Sequence, residues 1–210
     1  HGANVVSTGF LSPRQPWQGR RVVLGVTGSI AAYKAIAIAR SLTSLGAAVD
    51  TVLTDGARQF VSAISFEGVT GRDSATELFS VDKSALHISL GVEADVVCVA
   101  PATADFIARS SQGRANDLLS TTLLATKAPI VICPAMNTNM YTHPQTQRNL
   151  KYLSENLTKK QHFMIKLCTN SSVHLTKSNF VARNPISSAE TVSLRQKYKN
   201  LRFIVGYKQV

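Results

Sequence analysis

Acidic residues are scarce in this chain, with 12 Asp and Glu against 23 Lys and Arg and a formal net charge of +11. The shortage is uneven: through residue 156 there are 13 basic and 11 acidic side chains, but from 157 to 210 ten basic residues face one acid, Glu190. A basic segment can mark a nucleic-acid or anionic-membrane partner. Residues 157–210, however, lack Arg/Gly repeats, zinc-ligand spacing, an amphipathic-helix pattern and any nucleic-acid fold signature. Their Lys, Asn, Ser and Thr content reads as a solvated basic tail, and no nucleic-acid partner is expected. Cysteine is also sparse. Cys98, Cys133 and Cys168 make no disulfide framework, and two of them fall in apolar runs, which suits a reducing, cytoplasmic setting. No run approaches the roughly 20 apolar residues of a membrane span, so no membrane partner is expected. The start of the chain lacks a secretory pattern, and no clustered ligand set suggests a metal. Residues 1–19, with Pro13, Pro16 and Gly19, read as a loose leader, and Trp17, the single Trp, as packing on a neighbouring surface.

Apolar runs near 22–26, 48–53, 95–99 and 129–133 alternate with helix-like stretches at Ser29–Leu45, Ala57–Ala63, Ala102–Ser110, Asp117–Ala125 and Pro144–Glu155. That alternation predicts an α/β fold, a single doubly wound parallel sheet of Rossmann or flavodoxin-like type with helices on both faces. At 210 residues one domain suffices, with 20–156 as its body. The pair Thr121-Thr122 within Leu118–Leu124 suits either a subunit contact or an internal helix.

Three segments carry chemistry. Gly25-Val-Thr-Gly-Ser-Ile-Ala-Ala-Tyr-Lys34 follows an apolar run and opens a helix, and such a turn favours a phosphate through its unpaired N–H groups and the helix dipole. It lacks the third Gly of the dinucleotide fingerprint and is not a Walker loop, and an ordinary capped turn would look the same. Ala100-Pro-Ala-Thr-Ala-Asp105 repeats the arrangement after a second strand. Pro134-Ala-Met-Asn-Thr-Asn-Met-Tyr141 sets Asn137 beyond a third strand end, where ligands bind in open α/β sheets. Asn137 could equally cap a helix starting near Thr138, with the Met residues as core filler. His87, in Leu86-His-Ile-Ser-Leu90, could be a structural histidine.

In order and spacing, Gly25–Lys34, Leu53–Ala57, His87-Ile88, Ala100–Ala104, Gly113–Leu119 and Pro134–Tyr141, continuing to Pro144–Asn149, resemble the homo-oligomeric flavin-containing Cys decarboxylases. The resemblance spans about residues 20–156 and is nearest to members acting on 4′-phosphopantothenoylcysteine. It implies FMN as cofactor, its phosphate end held by Gly28, Ser29, Ile30 and Thr54 and its ring lined by Thr103, Ala104, Asp105, Phe106 and Ala135. His87 matches the family's active-site histidine, suited to proton traffic near neutral pH, and Asn137, with Met140, matches its substrate-holding segment. The implied reaction oxidises the cysteinyl end to a thioaldehyde, releases CO2, and reduces the remaining enethiolate to give 4′-phosphopantetheine for coenzyme A biosynthesis. Trimers, often four joined as a dodecamer, are implied as well. The sister family that prenylates flavin lacks the Pro-Ala-Met-Asn segment seen here.

Two departures qualify the expectation. Asp105 stands where the family has Asn, and a carboxylate beside a flavin disfavours its anionic reduced form. From Leu157 the family's substrate clamp, a Gly-rich, Arg-ended segment whose Cys protonates the enethiolate, does not follow, and Cys168 has none of the expected neighbours. Two alternatives stay open: an FMN-binding homologue with incomplete or no turnover, and a peptidyl-Cys decarboxylase that stops at the enethiol.

Overall fold

A strand that is apolar on both faces has to be covered on both. That is the situation of β1 (Arg21–Val26), in which Val22, Val23, Leu24 and Val26 are all fully buried. The computed structural model, which describes residues 15–77, 86–156 and 163–165, sets β1 inside a five-stranded sheet. Its partners are β2 (Ala48–Leu53), β3 (Val96–Ala102), β4 (Ile130–Pro134) and β5 (Phe163–Ile165), in the order β2-β1-β3-β4-β5 with every pairing parallel. A 3-10 turn at Ile30–Ala32 leads into α1 (Tyr33–Ser44), and α2 (Asp55–Arg58) and α3 (Ala63–Thr70) follow β2. Then come α4 (Leu86–Glu93) before β3, α5 (Ala104–Ser111) and α6 (Leu118–Ala125) before β4, and α7 (Thr138–Thr142) and α8 (Pro144–Asn156) beyond it.

The two-residue side-chain period of each strand divides the core into two layers. Val22, Leu24, Val26, Val96, Cys98 and Val131 meet Ile38 and Leu42 of α1 and Phe66 of α3 on one face. Val23, Val97, Val99, Ile130 and Ile132 meet Phe106 and Ile107 of α5, Leu119 of α6, and Leu150 and Leu153 of α8 on the other. Each such side chain, fully buried, contributes about 1.5–3 kcal/mol. The chain is therefore a doubly wound α/β fold, as its alternating pattern predicts. From β1 the chain runs to β2 on one side, while β3 lies on the other. That reversal opens a crevice beyond the carboxyl ends of β1 and β3.

The structure corrects several boundaries. The helix expected at Ala57–Ala63 is two helices, α2 and α3, because Ser62 is extended (φ −95°, ψ 145°) and interrupts the chain between them. The α5 helix begins at Ala104 because Ala102 still pairs with Pro134 at the end of β3. The α4 helix, whose short apolar run has no clear period, was not expected. Thr122 is buried and its Oγ1 donates to the Leu118 carbonyl at 2.8 Å, so Thr122 faces the core, while Leu124 of the same helix is exposed. Phe163–Ile165 extend the sheet beside β4, so the basic segment contributes a strand, and Cys168 lies outside the described residues. Among the described residues no helix is long and apolar enough to cross a membrane.

Trp17 is the clearest correction to the leader. It is only 7% exposed and belongs to the first core layer, and its backbone N–H donates to the Leu45 carbonyl at 3.0 Å. Residues 15–19 thus pack on the α1–β2 connection, and Gly19 (φ 75°) makes the turn into β1. Trp17→Ala should cost about 3 kcal/mol of stability, measured by urea denaturation, in line with large-to-small core changes. A loss near zero would return Trp17 to the leader.

Candidate functional site

Four strands end at one edge of the sheet, and each is followed by a turn closed by a side-chain oxygen. After β1, Ser29 Oγ accepts from the Ala31 N–H at 3.2 Å. After β2, Thr54 Oγ1 accepts from Ala57 N–H at 3.2 Å, and after β3 Thr103 Oγ1 accepts from Phe106 N–H at 3.2 Å. After β4, Asn137 Oδ1 accepts from Asn139 N–H at 2.8 Å. Small hydroxyl and amide residues suit these positions because they satisfy N–H groups that a helix start leaves unpaired.

The turns are also fastened to one another. The buried Thr27 hydroxyl donates to the Pro101 carbonyl at 2.8 Å and accepts from Thr103 N–H at 3.0 Å. Thr54 N–H donates to the Val26 carbonyl at 3.1 Å, and Ala135 N–H to that of Ala102 at 3.0 Å. Gly28 touches Gly56 so closely that a Cβ at Gly28 would lie 2.8 Å from the Gly56 carbonyl carbon. The crevice floor is consequently bare backbone between the β1 and β2 turns. Among the described residues, the O–H groups of Ser29 and Thr103 donate to no protein acceptor, which leaves them available to a ligand.

Of the residues expected to form a site, Gly28, Ser29, Ile30, Thr54, Thr103, Ala104, Asp105, Ala135 and Asn137 all sit on these turns or in the first turns of the helices they open. Phe106 does not line the crevice: its side chain is fully buried in the second core layer. Only its N–H, held by Thr103, faces the turn. Asn137 is a helix cap, as its simpler reading has it, but the cap uses Oδ1 alone. Its exposed side-chain NH2 donates to no acceptor among the described residues. Met140 is half exposed on α7, while Met136 packs on the core. His87 lies in the first turn of α4, and its Nδ1 is buried without a hydrogen-bond partner among the described residues. A buried orphan nitrogen is costly unless something absent from the bare chain satisfies it.

Asp105 is not an isolated charge. Arg109, one turn on, donates from Nε to Asp105 at 2.9 Å and from Nη1 to Asn116 and Asp117 at 2.7 and 2.8 Å. Its guanidinium also stands 5.4 Å from the Phe106 ring centroid. Burial works to lower the Arg109 pKa, but Asp117 and Asp105 outweigh it and hold the group above its ordinary value. Burial likewise works to raise the Asp117 carboxyl; the Ser120 N–H, Arg109 and the Ser120 hydroxyl prevail and keep it below the usual range. Thr27 and Arg109 were given no role in reading the sequence. The i,i+4 spacing of Asp105 and Arg109 was the available signal for one of them; Thr27, whose partners lie 74 and 76 residues away, offered none.

A separate cavity of about 450 Å³ lies near the amino-terminal end of β1, lined by Arg21, Asp50, Arg72 and Leu90 among others. Three of its charges are matched: Arg72 pairs with Asp50 at 2.7 Å, and Arg21 with Asp50 and Glu93, while Asp73 has no ion pair among the described residues. Thr51 and Ser74 hydroxyls bond to each other at 2.7 Å. With both arginines spent on carboxylates and Asp73 left as its unmatched charge, this cavity offers no cationic group to an anionic ligand. Among the described residues no three His, Cys, Asp or Glu side chains gather as metal ligands.

The flavoprotein family model matches residues 11–187. The coenzyme A biosynthesis bifunctional protein CoaBC of Mycolicibacterium smegmatis is 45% identical over 134 residues, covering 64% of this chain and 32% of that protein. The Vibrio cholerae CoaBC is 44% identical over 141 residues, covering 66% and 35%. The chain thus spans about a third of these relatives' length. Among solved structures, the FMN-dependent cysteine decarboxylase SpaF superposes with a TM-score of 0.63 at 33% identity, covering 71% of this chain and 84% of that one. A PPC decarboxylase variant superposes with a TM-score of 0.59 at 27% identity, covering 70% and 85%.

Two substitutions check this geometry. Gly28→Ala has to displace the Gly56 backbone and should lower the thermal midpoint by several degrees. Gly68→Ala in α3, with nothing within 4 Å of the new Cβ, should instead stabilise by about 0.5–1 kcal/mol. Asp117 supplies a pH test. Its depressed folded-state pKa gives stability that is complete above the unfolded-state value of about 3.9 and lost as pH falls through the lower folded-state value. Asp117→Asn should therefore be less stable at neutral pH and lose less on acidification below about pH 4, as followed by denaturation at a series of pH values. An unchanged acid limb would contradict this.

Proposed function

As the chain belongs to the flavoprotein family, we propose that it is an FMN-dependent carboxy-lyase converting 4′-phosphopantothenoylcysteine to 4′-phosphopantetheine in coenzyme A biosynthesis. The observation that carries this reading is the convergence of four capped turns on one crevice, with a floor of bare glycine backbone. The residues present fit FMN. The Gly28–Gly56 contact packs the β1 and β2 turns together with no side chain between them, and the Ser29 and Thr103 hydroxyls donate to no acceptor among the described residues; His87 Nδ1 is a further buried atom without a partner there.

In this reading the Ser29 hydroxyl and the Ile30 N–H bind the phosphate end, the Ala31 and Ala32 N–H groups being spent on Ser29 itself, with Thr54 shaping the adjoining turn. Thr103, Ala104 and Ala135 line the ring. When bound, FMN supplies a two-electron acceptor and donor beside the cysteinyl carbon, which lets the carboxylate leave as CO2 and restores the electrons afterwards. Asn137 donates its side-chain NH2 to the substrate and Met140 covers it on the apolar side. His87 holds the proton that must move as the thiol end is oxidised. Self-association into trimers or dodecamers and a cytoplasmic location belong to the same reading. Ile30 and Tyr33, 79% and 59% exposed beside the β1 turn, offer the apolar surface for a second copy.

A peptide substrate, with release at the enethiol, is the second reading. What favours it is the departure from the family's pattern after Leu157, where the substrate clamp and its Cys do not follow. Mass spectrometry after incubation with 4′-phosphopantothenoylcysteine separates the cases. Loss of CO2 alone means complete decarboxylation, loss of CO2 with two hydrogens means release at the enethiol, and unchanged substrate contradicts the first reading; the second is contradicted if a peptide ending in Cys is also left unchanged. His87→Asn should abolish CO2 release while flavin stays bound, read by absorbance. Decarboxylation that survives this change would remove His87 from its role.

A further inference from the structure

The Asp105 carboxylate occupies an awkward place for a site that takes an anionic cofactor. It is the second residue after the Thr103 cap, in the first turn of α5, where a helix dipole attracts negative charge. A carboxylate free to lean on that helix start would fold over the turn that lines the ring and set an unmatched negative charge beside a cofactor that is an anion overall. Arg109 prevents this. Its Nε lies 2.9 Å from Asp105 Oδ2, one turn farther along the helix, so the carboxylate is drawn back from the helix end and its charge is matched.

An exposed i,i+4 ion pair is ordinarily loose. This one is fixed from the arginine side. The Asp105 side chain is 76% exposed, but that of Arg109 is only 15% exposed. Arg109 is further held by Asn116 Oδ1 at 2.7 Å, Asp117 Oδ2 at 2.8 Å and the Phe106 ring. Asp117 is itself locked, since its Oδ1 accepts from Ser120 N–H at 2.7 Å to cap α6. The guanidinium is therefore a pre-ordered clamp on Asp105, anchored to a different helix.

We infer that Arg109 is a positioning residue for the cofactor, which by drawing back and neutralising Asp105 keeps the amino end of α5 open to FMN. The inference rests on the flavin reading of the crevice. Arg109 touches neither cofactor nor substrate in this account; it acts through Asp105.

The test is FMN titration of flavin-stripped protein, with thermal unfolding of each apoprotein as a second readout. Arg109→Gln should raise the FMN dissociation constant roughly tenfold at low salt, with a smaller effect as salt screens the exposed carboxylate. Adding Asp105→Asn to that variant should return the affinity most of the way to wild type without restoring the lost thermal stability, because Asp117 stays unpaired. Arg109→Lys, which keeps the charge and loses the fork, should fall between, and carries the same comparison if Arg109→Gln does not fold. The inference is overturned if affinity stays within about twofold of wild type in the Arg109 variants. It is equally overturned if the lost affinity is not recovered by Asp105→Asn, which would place the effect in the α6 cap. Wild-type protein that takes up no FMN would sink the flavin reading itself, a result visible before any variant is made.

Discussion

One hydroxyl ties the working edge of this protein together. Thr27 is buried where β1 ends, donating to the Pro101 carbonyl and accepting from the Thr103 N–H. Both of its hydrogen-bonding directions are used, so the β1 and β3 turns are held at a fixed spacing across the point where the strand order reverses. Buried polar groups satisfied in this way define one arrangement, since any other leaves a donor or acceptor stranded. Thr54 extends the tie to β2 through the Val26 carbonyl, and Ala135 extends it to β4 through Ala102. The crevice is thus assembled from turns that cannot shift independently.

The same edge shows a division of labour between backbone and side chains. At Gly28 and Gly56 side chains are absent because two turns meet there. At Ser29, Thr54, Thr103 and Asn137 short polar side chains first close their own turns, and what remains faces the crevice. Long and charged groups are kept off: Asp105 is turned back by Arg109, and Phe106 fills the core beneath. A crevice lined in this way suits a large, flat, anionic ligand better than a small one, because recognition is spread over several loops.

The sequence made the fold legible because parallel strands buried on both faces leave unbroken apolar runs, as at Val22–Val26 and Ile130–Cys133. The turns were legible too, since Gly, Ser, Thr and Asn at strand ends are demanded by local backbone chemistry. What stayed hidden depended on distant partners. Residues 15–19 looked like part of a loose leader, although Trp17 was expected to pack on a neighbouring surface; that surface is the first core layer, with the Trp17 backbone bonded to Leu45. Phe106 looked like a lining residue because its neighbours do face the crevice, yet helix geometry turns its ring the other way. The charge of Asp105 looked like a defect until Arg109 appeared as the centre of a network joining α5 to α6. The α4 helix, which carries His87, is too short and too evenly apolar to announce its period.

Hydrogen–deuterium exchange with and without FMN tests the central claim most directly, because it reports where the ligand binds regardless of turnover. The account predicts slower exchange at the turns spanning 29–32, 54–57 and 103–106, all at the carboxyl edge of the sheet, with little change around Arg21, Asp50 and Arg72. Protection confined to that ion-paired cavity, with the capped turns unaffected, would place the ligand at the other end of the sheet and contradict it.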